Sequence, residues 1–559
     1  DLSRLNIRFN TDIDLTDKFA VRFDASFADQ SRSVRDDGAP ESFEEGTSTA
    51  PSYLAYVKSP FLSPYTYGRG VLSTSHYDIL DEDYLDEALA DVPNYNYKIA
   101  NPMALNEYGD GDNKNRFETS MLNLAITPKY QFNKNLFVSE HFSYNLVNTN
   151  EKYYIPVNGV PDYYVNSVNA FRENETRSLY SKQESMTSDT RIDWNNRYGA
   201  HRIHAFGGAR VNVENYTLNT QLGYNTGSDK TPFMNKNLMN VTTAGTKDSW
   251  THVSWYGQAE YDYMSRYYLQ ASLSLDGSSR FGNDADGLQM FGAPWGVFWG
   301  VQGSWVVSNE SWFAKVKPVN YLRLTAGYDV SGNDDIDYYA ARSFFRASKY
   351  LNAISGLSFD GIGNTNIQWE TTRRFNAGLE ANLFNNRLNL SFNYFNSTTS
   401  DLLTSQSLNV LTGLSTNWAN GGELKNHGYD AAFNLKVIAL KDWQWQIGAS
   451  VGHYKNEITE LPVVNKKKEI LTDIYGATVL TKVGEAANVF YGYKTQGVFA
   501  TTEEAEAAGL YMLDANGKTK HYFGAGDVIF VDQPGSKGEA GLIDENDRVV
   551  IGNPNPDFY

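Results

Sequence analysis

Apolar and polar residues alternate with a period of two through much of this chain, and the stretch YYLQASLSLDGSSRFG (267–282) shows this clearly. In an extended chain the two kinds of residue fall on opposite sides: Leu269, Ala271, Leu273 and Leu275 against Gln270, Ser272 and Ser274. A strand of this kind has one apolar and one polar face. The pattern predicts β-structure and leaves open which face meets water.

The same alternation recurs in pairs of segments joined by tight turns. These turns are predicted near Thr16 and Asp17, Asn133, Tyr198 and Gly199, Ser265 and Arg266, Asn385 and Asn386, and Lys441 and Asp442. The connection SNESWFAKVKP (308–318) joins one further pair. The pattern predicts about fourteen strands, with a less regular fifteenth at 490–499, and therefore a total of 14–16.

The connections between these pairs are of a different kind, because most are long, polar and rich in Tyr, Asn, Asp and Gly. We expect them at about 31–115, 148–180, 216–250, 330–368, 400–425, 455–488 and 500–548. Regular alternation of short turns with long loops is typical of outer-membrane barrels. A soluble β-sandwich also has alternating strands, but it has no reason to alternate its connections in this way, and its edge strands need protection.

The organisation therefore favours an all-β fold, a transmembrane antiparallel β-barrel with long extracellular loops. Aromatic residues near the predicted strand ends, Tyr261, Tyr263, Tyr267 and Trp443, are placed where an interfacial girdle would lie. The polar residues Gln270, Ser272 and Ser274 would then face the lumen.

Composition excludes several classes of function. The 559 residues contain 48 Lys and Arg against 66 Asp and Glu, a formal net charge of -18, which disfavours binding to nucleic acid. There is no Cys, so disulfides, thiolate metal sites and cysteine nucleophiles are excluded. No window approaches the ~20 consecutive apolar residues of a membrane helix. Because the sequence starts in strand alternation (DLSRLNIRFN) and ends in the turn-like NPNPDFY, we expect an internal or processed part of a longer polypeptide.

Motifs for chemistry are weak. GASVG (448–452) matches the G-x-S-x-G nucleophile elbow, but that motif needs a strand, a sharp turn and a helix, whereas Ser450 lies inside a predicted strand. His201 and His204 flank a tight turn with no carboxylate at ligand spacing in the sequence. From Asp532 the calcium-loop positions hold Asp, Pro and Ser, so the loop pattern fails. The sequence predicts no catalytic residue, no metal site and no cofactor.

Two features of the long connections are more specific. Thr501 is followed by Glu504, a capping box, and Gly509 is a stop signal, which together predict a short helix. Tyr153, Tyr154, Tyr163, Tyr164 and Trp418 are rigid amphipathic side chains suited to stacking on sugar rings or peptide side chains. The alternative is that these aromatic residues pack the loops on one another and against a partner.

Several ordered stretches resemble the SusC/RagA family, the TonB-dependent outer-membrane importers of Bacteroidetes. SRYYLQASLSLDGSSRFG is similar to the family's strand that ends in a DGSSRFG-type loop. Four later stretches also resemble family landmarks: NTNIQWETTRRFNAGLEANLFNNRLNLSFNYFNSTTSDLL, ANGGELKNHGYDAAFNL, FYGYKTQGVFATTEE and IDENDRVVIGNPNPDF. These stretches span most of the chain.

The resemblance implies a 22-stranded barrel of which this chain covers about 14–16 strands, without the plug and periplasmic domains. It implies a SusD-like surface lipoprotein over the long loops, a dimer of such pairs, outer-membrane lipid and lipopolysaccharide around the barrel, and energy from TonB-ExbB-ExbD through a missing N-terminal region. The implied activity is import of oligosaccharides or peptides. One departure is that QPGSKGEAG replaces the Asn-Gly-Asp-Gly run often found before IDENDR, which removes the usual pointer to a bound cation. A scaffold for surface lipoproteins and an outer-membrane hydrolase using Ser450 are the alternatives.

Overall fold

The computed structural model describes residues 2–33, 67–68, 71–72, 115–157, 163–165, 170–350, 354–408, 411, 413–414, 416–462, 469–474, 477–514, 516–533 and 539–559. Most of these residues lie in β-strands. The first fifteen strands are β1 (Leu2–Thr16), β2 (Phe19–Ser33), β3 (Tyr67–Gly68), β4 (Val71–Leu72), β5 (Arg116–Asn133), β6 (Leu136–Ile155), β7 (Tyr163–Val165), β8 (Ala170–Arg172), β9 (Glu175–Tyr198), β10 (His201–Tyr224), β11 (Met239–Tyr263), β12 (Tyr267–Ser278), β13 (Leu288–Met290), β14 (Ala293–Val306) and β15 (Val319–Asn333).

The remaining strands of the described residues include two of 17 residues each, β22 and β23, and after them only strands of 3–6 residues. They are β16 (Phe344–Tyr350), β17 (Ile354–Gly361), β18 (Glu370–Leu383), β19 (Leu388–Ser400), β20 (Leu403–Ser407), β21 (Thr416–Asn420), β22 (Glu423–Ala439), β23 (Gln444–Glu460), β24 (Glu469–Ile474), β25 (Ala477–Lys482), β26 (Val489–Tyr493), β27 (Thr495–Val498), β28 (Tyr511–Leu513), β29 (Lys520–Tyr522), β30 (Val528–Phe530) and β31 (Arg548–Gly552). Among the described residues the helical elements are α1 (Thr502–Ala508) and three 3₁₀ turns at Val307–Asn309, Phe313–Lys315 and Glu545–Asp547. None of the helices in the described part of the chain has the length and apolar character needed to cross a membrane.

The residues group into two compact units. The first comprises 1–192 and 209–253, and its main strands are hydrogen-bonded in the order β1-β2-β5-β6, followed by parts of β9, β10 and β11. In the second, 193–208 and 254–559, the other parts of β9 to β11 are followed by β12-β14-β15-β18-β19-β22-β23, with β13 paired to the end of β14. The main sheet thus contains fifteen strands among the described residues, which confirms the expected 14–16.

Tight turns join these strands where the sequence predicted them. Met264 and Ser265 both have positive φ, 56° and 55°, in the connection from β11 to β12, and Asp262 Oδ1 accepts a hydrogen bond of 2.7 Å from the Ser265 amide. Gly199 (φ 61°) supplies the left-handed residue between β9 and β10. Two residues with positive φ match the right-handed twist of the strands that they join. Strand neighbours in sequence are therefore antiparallel neighbours in the sheet.

Several strands continue into segments that were expected to be loops. β10 runs to Tyr224 and β11 starts at Met239, so that 225–238 connects them, where 216–250 was expected. β9, β10 and β11 contain 24, 24 and 25 residues, whereas about 9–11 residues suffice to cross a bilayer. Polar strand residues keep pairing beyond that length, which an alternation of apolar residues cannot reveal. Most of the expected 31–115 connection lies outside the described residues.

The C-terminal part of the second unit forms small sheets of its own. β24-β25-β26-β31 is a four-stranded sheet, and β27 pairs with β30. The irregular strand expected at 490–499 is therefore two short strands outside the main sheet. The expected helix is confirmed as α1: Thr501 Oγ1 accepts from the Glu504 amide at 3.2 Å, Glu504 accepts from the Ala500 amide, and Gly509 (φ 66°) ends the helix.

Candidate functional site

The second unit contains an open recess of about 670 Å³ on the polar face of β14, β15, β18, β19 and β22. Antiparallel register creates it, because residues two apart on each strand share a face, and paired residues on neighbouring strands share it too. The lining residues are Gln302, Arg323, Thr325, Gly327, Arg374, Asn376, Ala377, Gly378, Glu380, Asn393, Phe395, Ser397, Asn426 and Asp430. Four amide and four charged side chains make this a polar surface.

Hydrogen bonds between strands hold several of these polar groups in place. Arg374 forms an ion pair with Asp329 of the neighbouring strand at 3.0 Å, and the Asn376 amide donates to the same carboxylate at 3.3 Å. Asn393 Nδ2 donates to Asp430 at 2.8 Å. The recess therefore presents both signs of charge and amide groups that can donate and accept, which suits polar, uncharged or zwitterionic surfaces.

The opposite face of the same strands is apolar and exposed. Leu269 on β12 has 50% of its surface exposed, and Trp299 and Val301 on β14 have 43% and 44%. The register pairs Leu273 with Trp299 and Ala271 with Val301, so that the apolar residues form a continuous face. A sheet in water would bury such a face, since contiguous exposed apolar surface marks a contact with lipid or another apolar partner.

The polar residues of β12 that were predicted to face the lumen lie on the recess side of the sheet. Gln270 pairs with Gln302, which lines the recess, and Ser272 pairs with Gly300. Ser274 pairs with Phe298 and donates to Asp276 at 2.6 Å. The structure thus places Gln270 beside a residue of the recess, and Ser272 and Ser274 further along the same strand.

The first unit has a smaller recess of about 460 Å³ on the polar face of β1, β2, β5 and β6. Its lining includes Arg8, Asn10, Asp24, Ser26, Asn123, His141 and Asn145. An ion pair of 2.8 Å joins Asp24 to Arg22 on its own strand. Both units therefore combine a polar, hydrogen-bonded face with exposed apolar residues at alternate positions.

The predicted contact residues Tyr153 and Tyr154 are buried, at 7% and 2% exposed. The Tyr154 hydroxyl donates to Asp229 at 2.7 Å and accepts from Asn174 Nδ2 at 2.9 Å, and Arg177 lies over the Tyr153 ring at 5.2 Å. These contacts join the end of β6 to the start of β9 and to the connection after β10. Burial favours the alternative in which these tyrosines pack the loops on one another.

Tyr163 and Tyr164 lie in β7, which pairs with β8, and their side chains fall outside the described part of the structure. Trp418 lies in β21, half-buried, and its Nε1 donates to Asp337 at 2.6 Å. It packs against a cluster of buried residues formed by Phe281, Ile336, Ala340, Ala341 and Ile367. Trp418 thus has one side on this cluster, which holds the ends of several strands together.

The DGSSRFG stretch (276–282), which covers the end of β12 and the loop after it, contributes Phe281 to this cluster. Phe281 packs on Trp369 with ring centroids 4.8 Å apart. Arg280 donates to the backbone oxygen of Asp334 at 2.8 Å, and Ser278 donates to the Asp334 carboxylate at 2.8 Å. Three side chains of this stretch, Ser278, Arg280 and Phe281, therefore fasten it to neighbouring connections.

Ser450 lies in the middle of β23, paired with Ala432 on the next strand. The strand continues on both sides of it, so the sharp turn of a nucleophile elbow is absent at this position. His204 has two carboxylate partners that are distant in the sequence: Asp193 and Glu260 approach its two ring nitrogens at 3.3 Å each. Both carboxylates come from neighbouring strands, so no sequence spacing could have revealed them.

Asp532 and Asp547 belong to the acidic segment that does not match the calcium-loop pattern, and both carboxylates accept hydrogen bonds from backbone amides. Asp532 accepts from the Gly541 amide at 2.8 Å, and the fully buried Asp547 accepts from the amides of Gln533 and Asp544 at 2.9 Å each. Residues 534–538 lie outside the described part. Within the described residues, no group of three His, Asp or Glu side chains is arranged to hold a metal ion.

Comparison with known proteins places this geometry in a family. The family model "TonB dependent receptor-like, beta-barrel" matches residues 63–476, more than half of the chain. TonB-dependent receptor P39 of Formosa agariphila is 31% identical over 353 residues, which cover 58% of this chain and 32% of that protein. TonB-dependent receptor SusC of Bacteroides thetaiotaomicron is 27% identical over 319 residues, 54% of this chain and 28% of that protein.

A solved structure agrees with these relatives in fold. The RagAB peptide importer in the "closed-closed" state matches 100% of this chain and 55% of that chain with a TM-score of 0.74, at 19% identity. The chain spans about half or less of the length of the relatives that it matches. The alternation of an exposed apolar face with a polar recess, the family model and the related receptors lead to one conclusion: the chain belongs to the TonB-dependent receptors of the SusC/RagA kind and forms part of their outer-membrane β-barrel.

Proposed function

We propose that the protein containing this chain imports oligosaccharides or peptides across the outer membrane. A SusD-like lipoprotein would cover the extracellular loops, and TonB-ExbB-ExbD would supply energy through a part of the protein beyond this chain. The observation that supports this proposal is the polar recess of about 670 Å³ on the face opposite the exposed apolar residues. Large barrels of this kind enclose an aqueous or plugged lumen, so we assign the polar face to the lumen and the apolar face to lipid.

The recess favours transport over chemistry. Its ion pair and amide groups bind polar surfaces reversibly. The two hydroxyls that line it are hydrogen-bonded to groups that cannot act as a general base: Ser397 donates to the Asn426 backbone oxygen at 3.3 Å, and Thr325 shares a hydrogen bond of 3.1 Å with Ser304. Gln270, on the strand beside it, extends the polar surface. A polar path with many weak contacts lets a large solute bind and leave, whereas a few strong contacts would retain it.

Uptake by a deletion strain complemented with variants tests this proposal. Asn376→Trp would fill part of the recess and should reduce growth on the transported nutrient, whereas Phe375→Trp, one residue away on the exposed apolar face, should leave growth unchanged. Growth on defined oligosaccharides and on defined peptides, compared with the deletion strain, identifies the class of nutrient. Both variants need equal amounts of protein in the outer membrane.

Unchanged growth of the deletion strain on every nutrient would contradict import. If the deletion strain also lacked a surface lipoprotein that copurifies with the wild-type barrel, the results would favour a scaffold role instead of import. Hydrolysis of an added glycan or peptide that disappears in Ser450→Ala would instead favour the hydrolase. These three outcomes differ in growth, copurification and product formation, so one set of strains distinguishes them.

A further inference from the structure

The connection between β14 and β15, residues 307–318, is fastened to the neighbouring strand ends by the Glu310 carboxylate and by Asn309, whose Nδ2 donates to the Ser265 oxygen at 2.6 Å. Glu310 is 9% exposed and accepts hydrogen bonds from the Tyr267 hydroxyl at 2.5 Å and from Trp305 Nε1 at 3.2 Å, and it pairs with Arg266 at 3.4 Å. The hydrogen bond donated by Tyr267 lowers the pKa of the Glu310 carboxyl, so that it stays ionised at neutral pH. The connection therefore has a fixed position relative to the strand ends.

That position is the border of the apolar face. Tyr267 and Trp305 are directly paired across β12 and β14, with their rings stacked at 6.4 Å. Tyr267 is two residues from Leu269, and Trp305 is four residues from Val301. Both rings therefore lie on the same apolar face as these residues. Glu310 accepts hydrogen bonds from the Tyr267 hydroxyl and from Trp305 Nε1. Residues 307–318 therefore lie where the apolar face ends, at the short-turn end of the strands.

The connection exposes an unusual set of side chains there. Phe313 is buried (7% exposed), whereas Trp312 is 56% exposed and packs edge-on against it at 5.5 Å. Lys315 and Lys317 are exposed, and no acidic residue follows Glu310 in this connection. An indole beside two ammonium groups, with no acidic residue in 311–318 and with Glu310 already paired to Arg266, is chemically suited to the headgroup layer of a bilayer.

The neighbouring short connections continue the pattern. Met264, Phe384, Leu440 and Trp443 have exposed fractions of 47%, 56%, 66% and 72%. The Phe384 amide donates to the Pro318 oxygen at 2.8 Å, so its turn adjoins the connection directly. Turns in water favour Gly, Asn, Asp and Ser, so exposed large apolar residues on successive turns need a partner.

We propose that residues 312–317 are a membrane-interface anchor: Trp312 lies in the interfacial layer, and Lys315 and Lys317 bind the phosphates of phospholipid headgroups in the leaflet at the short-turn end. The apolar face of the sheet is continuous with the anchor, which identifies the partner as lipid. Lysine can keep its stem on an apolar surface while its ammonium group reaches the headgroups. The Glu310 contacts keep the anchor in register with that face.

Depth measurements test the position of the anchor. The chain contains no Cys, so single-cysteine variants can carry a nitroxide label once any cysteine elsewhere in the full-length protein is replaced. In vesicles of phosphatidylethanolamine and phosphatidylglycerol, the label of Trp312→Cys should lose most of its accessibility to a water-soluble nickel chelate. The references are Val301→Cys on the apolar face and Leu357→Cys in β17, which is 75% exposed. A label at 312 as accessible as the one at 357 would overturn the proposal.

The phosphate contacts have a separate test. With the label at Ala314→Cys, which keeps Trp312, changing the vesicles from phosphatidylcholine alone to a mixture with phosphatidylglycerol should immobilise the label further, and added inorganic phosphate should not. Replacing Lys315→Gln and Lys317→Gln together should abolish this lipid dependence, whereas Lys518→Gln, an exposed lysine of the C-terminal part, should preserve it. Lipid dependence that persists in the double variant would contradict headgroup binding by these lysines.

Discussion

Gly282 lies against the backbone of Thr365 so closely that a Cβ atom at position 282 would be 2.0 Å from the Thr365 carbonyl oxygen. The Gly282 amide donates to the Ile367 oxygen at 3.3 Å, and the Asp284 amide donates to the Thr365 oxygen at 3.0 Å. The glycine that ends the DGSSRFG loop is therefore required by close approach of two backbones. The contact fixes the loop after β12 to the segment before β18.

Gly282→Ala should destabilise this loop cluster by about 2 kcal/mol, because backbone atoms must move to admit the methyl group. Hydrogen exchange of the full-length protein in vesicles should become faster in 281–286 and 364–369. Gly356→Ala is the matched control, since a Cβ there meets nothing within 4 Å. Equal exchange in both variants would show that the backbone contact does not hold the cluster.

Val301→Arg and Gln302→Arg test the assignment of the two faces. Val301 belongs to the exposed apolar face and Gln302 lines the polar recess. An arginine at position 301 should lower the stability of the folded barrel by roughly 2–4 kcal/mol if it lies near the bilayer midplane. An arginine at position 302 would lie among the polar groups of the recess and should be tolerated. The measurement is the fraction of protein assembled in the outer membrane, read from heat-modifiable migration. Equal assembly of the two variants would contradict the assignment.

The sequence allowed the strands, turns and faces of β12 and β14 to be predicted because these follow from local periodicity and turn residues. It did not allow the burial of Tyr154 or the two carboxylates beside His204 to be predicted. Both depend on which residues of separate strands stand opposite one another, and the length of a connection does not determine that register. The extra length of β9 to β11 was missed for a related reason, since polar residues pair in a ladder without an apolar signal.

Thr501→Ala should destabilise α1 by about 1 kcal/mol, because it removes the acceptor for the Glu504 amide at the start of the helix. The helix has only 7 residues, so the loss should appear as faster hydrogen exchange throughout it. Thr502→Ala changes the first helical residue and keeps the cap, and it should leave exchange unchanged. A helix with the same protection in both variants would show that packing of Ala505, which is 3% exposed, holds it instead.

The segment around Tyr511 should loosen in acid. The Tyr511 hydroxyl donates to Glu539 at 2.8 Å, and Lys520 lies 3.6 Å from the same carboxylate. The hydrogen bond from Tyr511, followed by the charge of Lys520, lowers the pKa of Glu539 below its usual 4.5. A carboxyl whose pKa is lowered by folding contributes stability above its unfolded pKa and loses that contribution as the pH falls through the folded value.

Hydrogen exchange at 511–513 and 520–522 should therefore accelerate as the pH falls below about 4.5, after correction for the intrinsic pH dependence of exchange. In Glu539→Gln, which keeps an acceptor for Tyr511 but cannot titrate, this additional acceleration should be absent; if it persists in the variant, another acidic group is responsible.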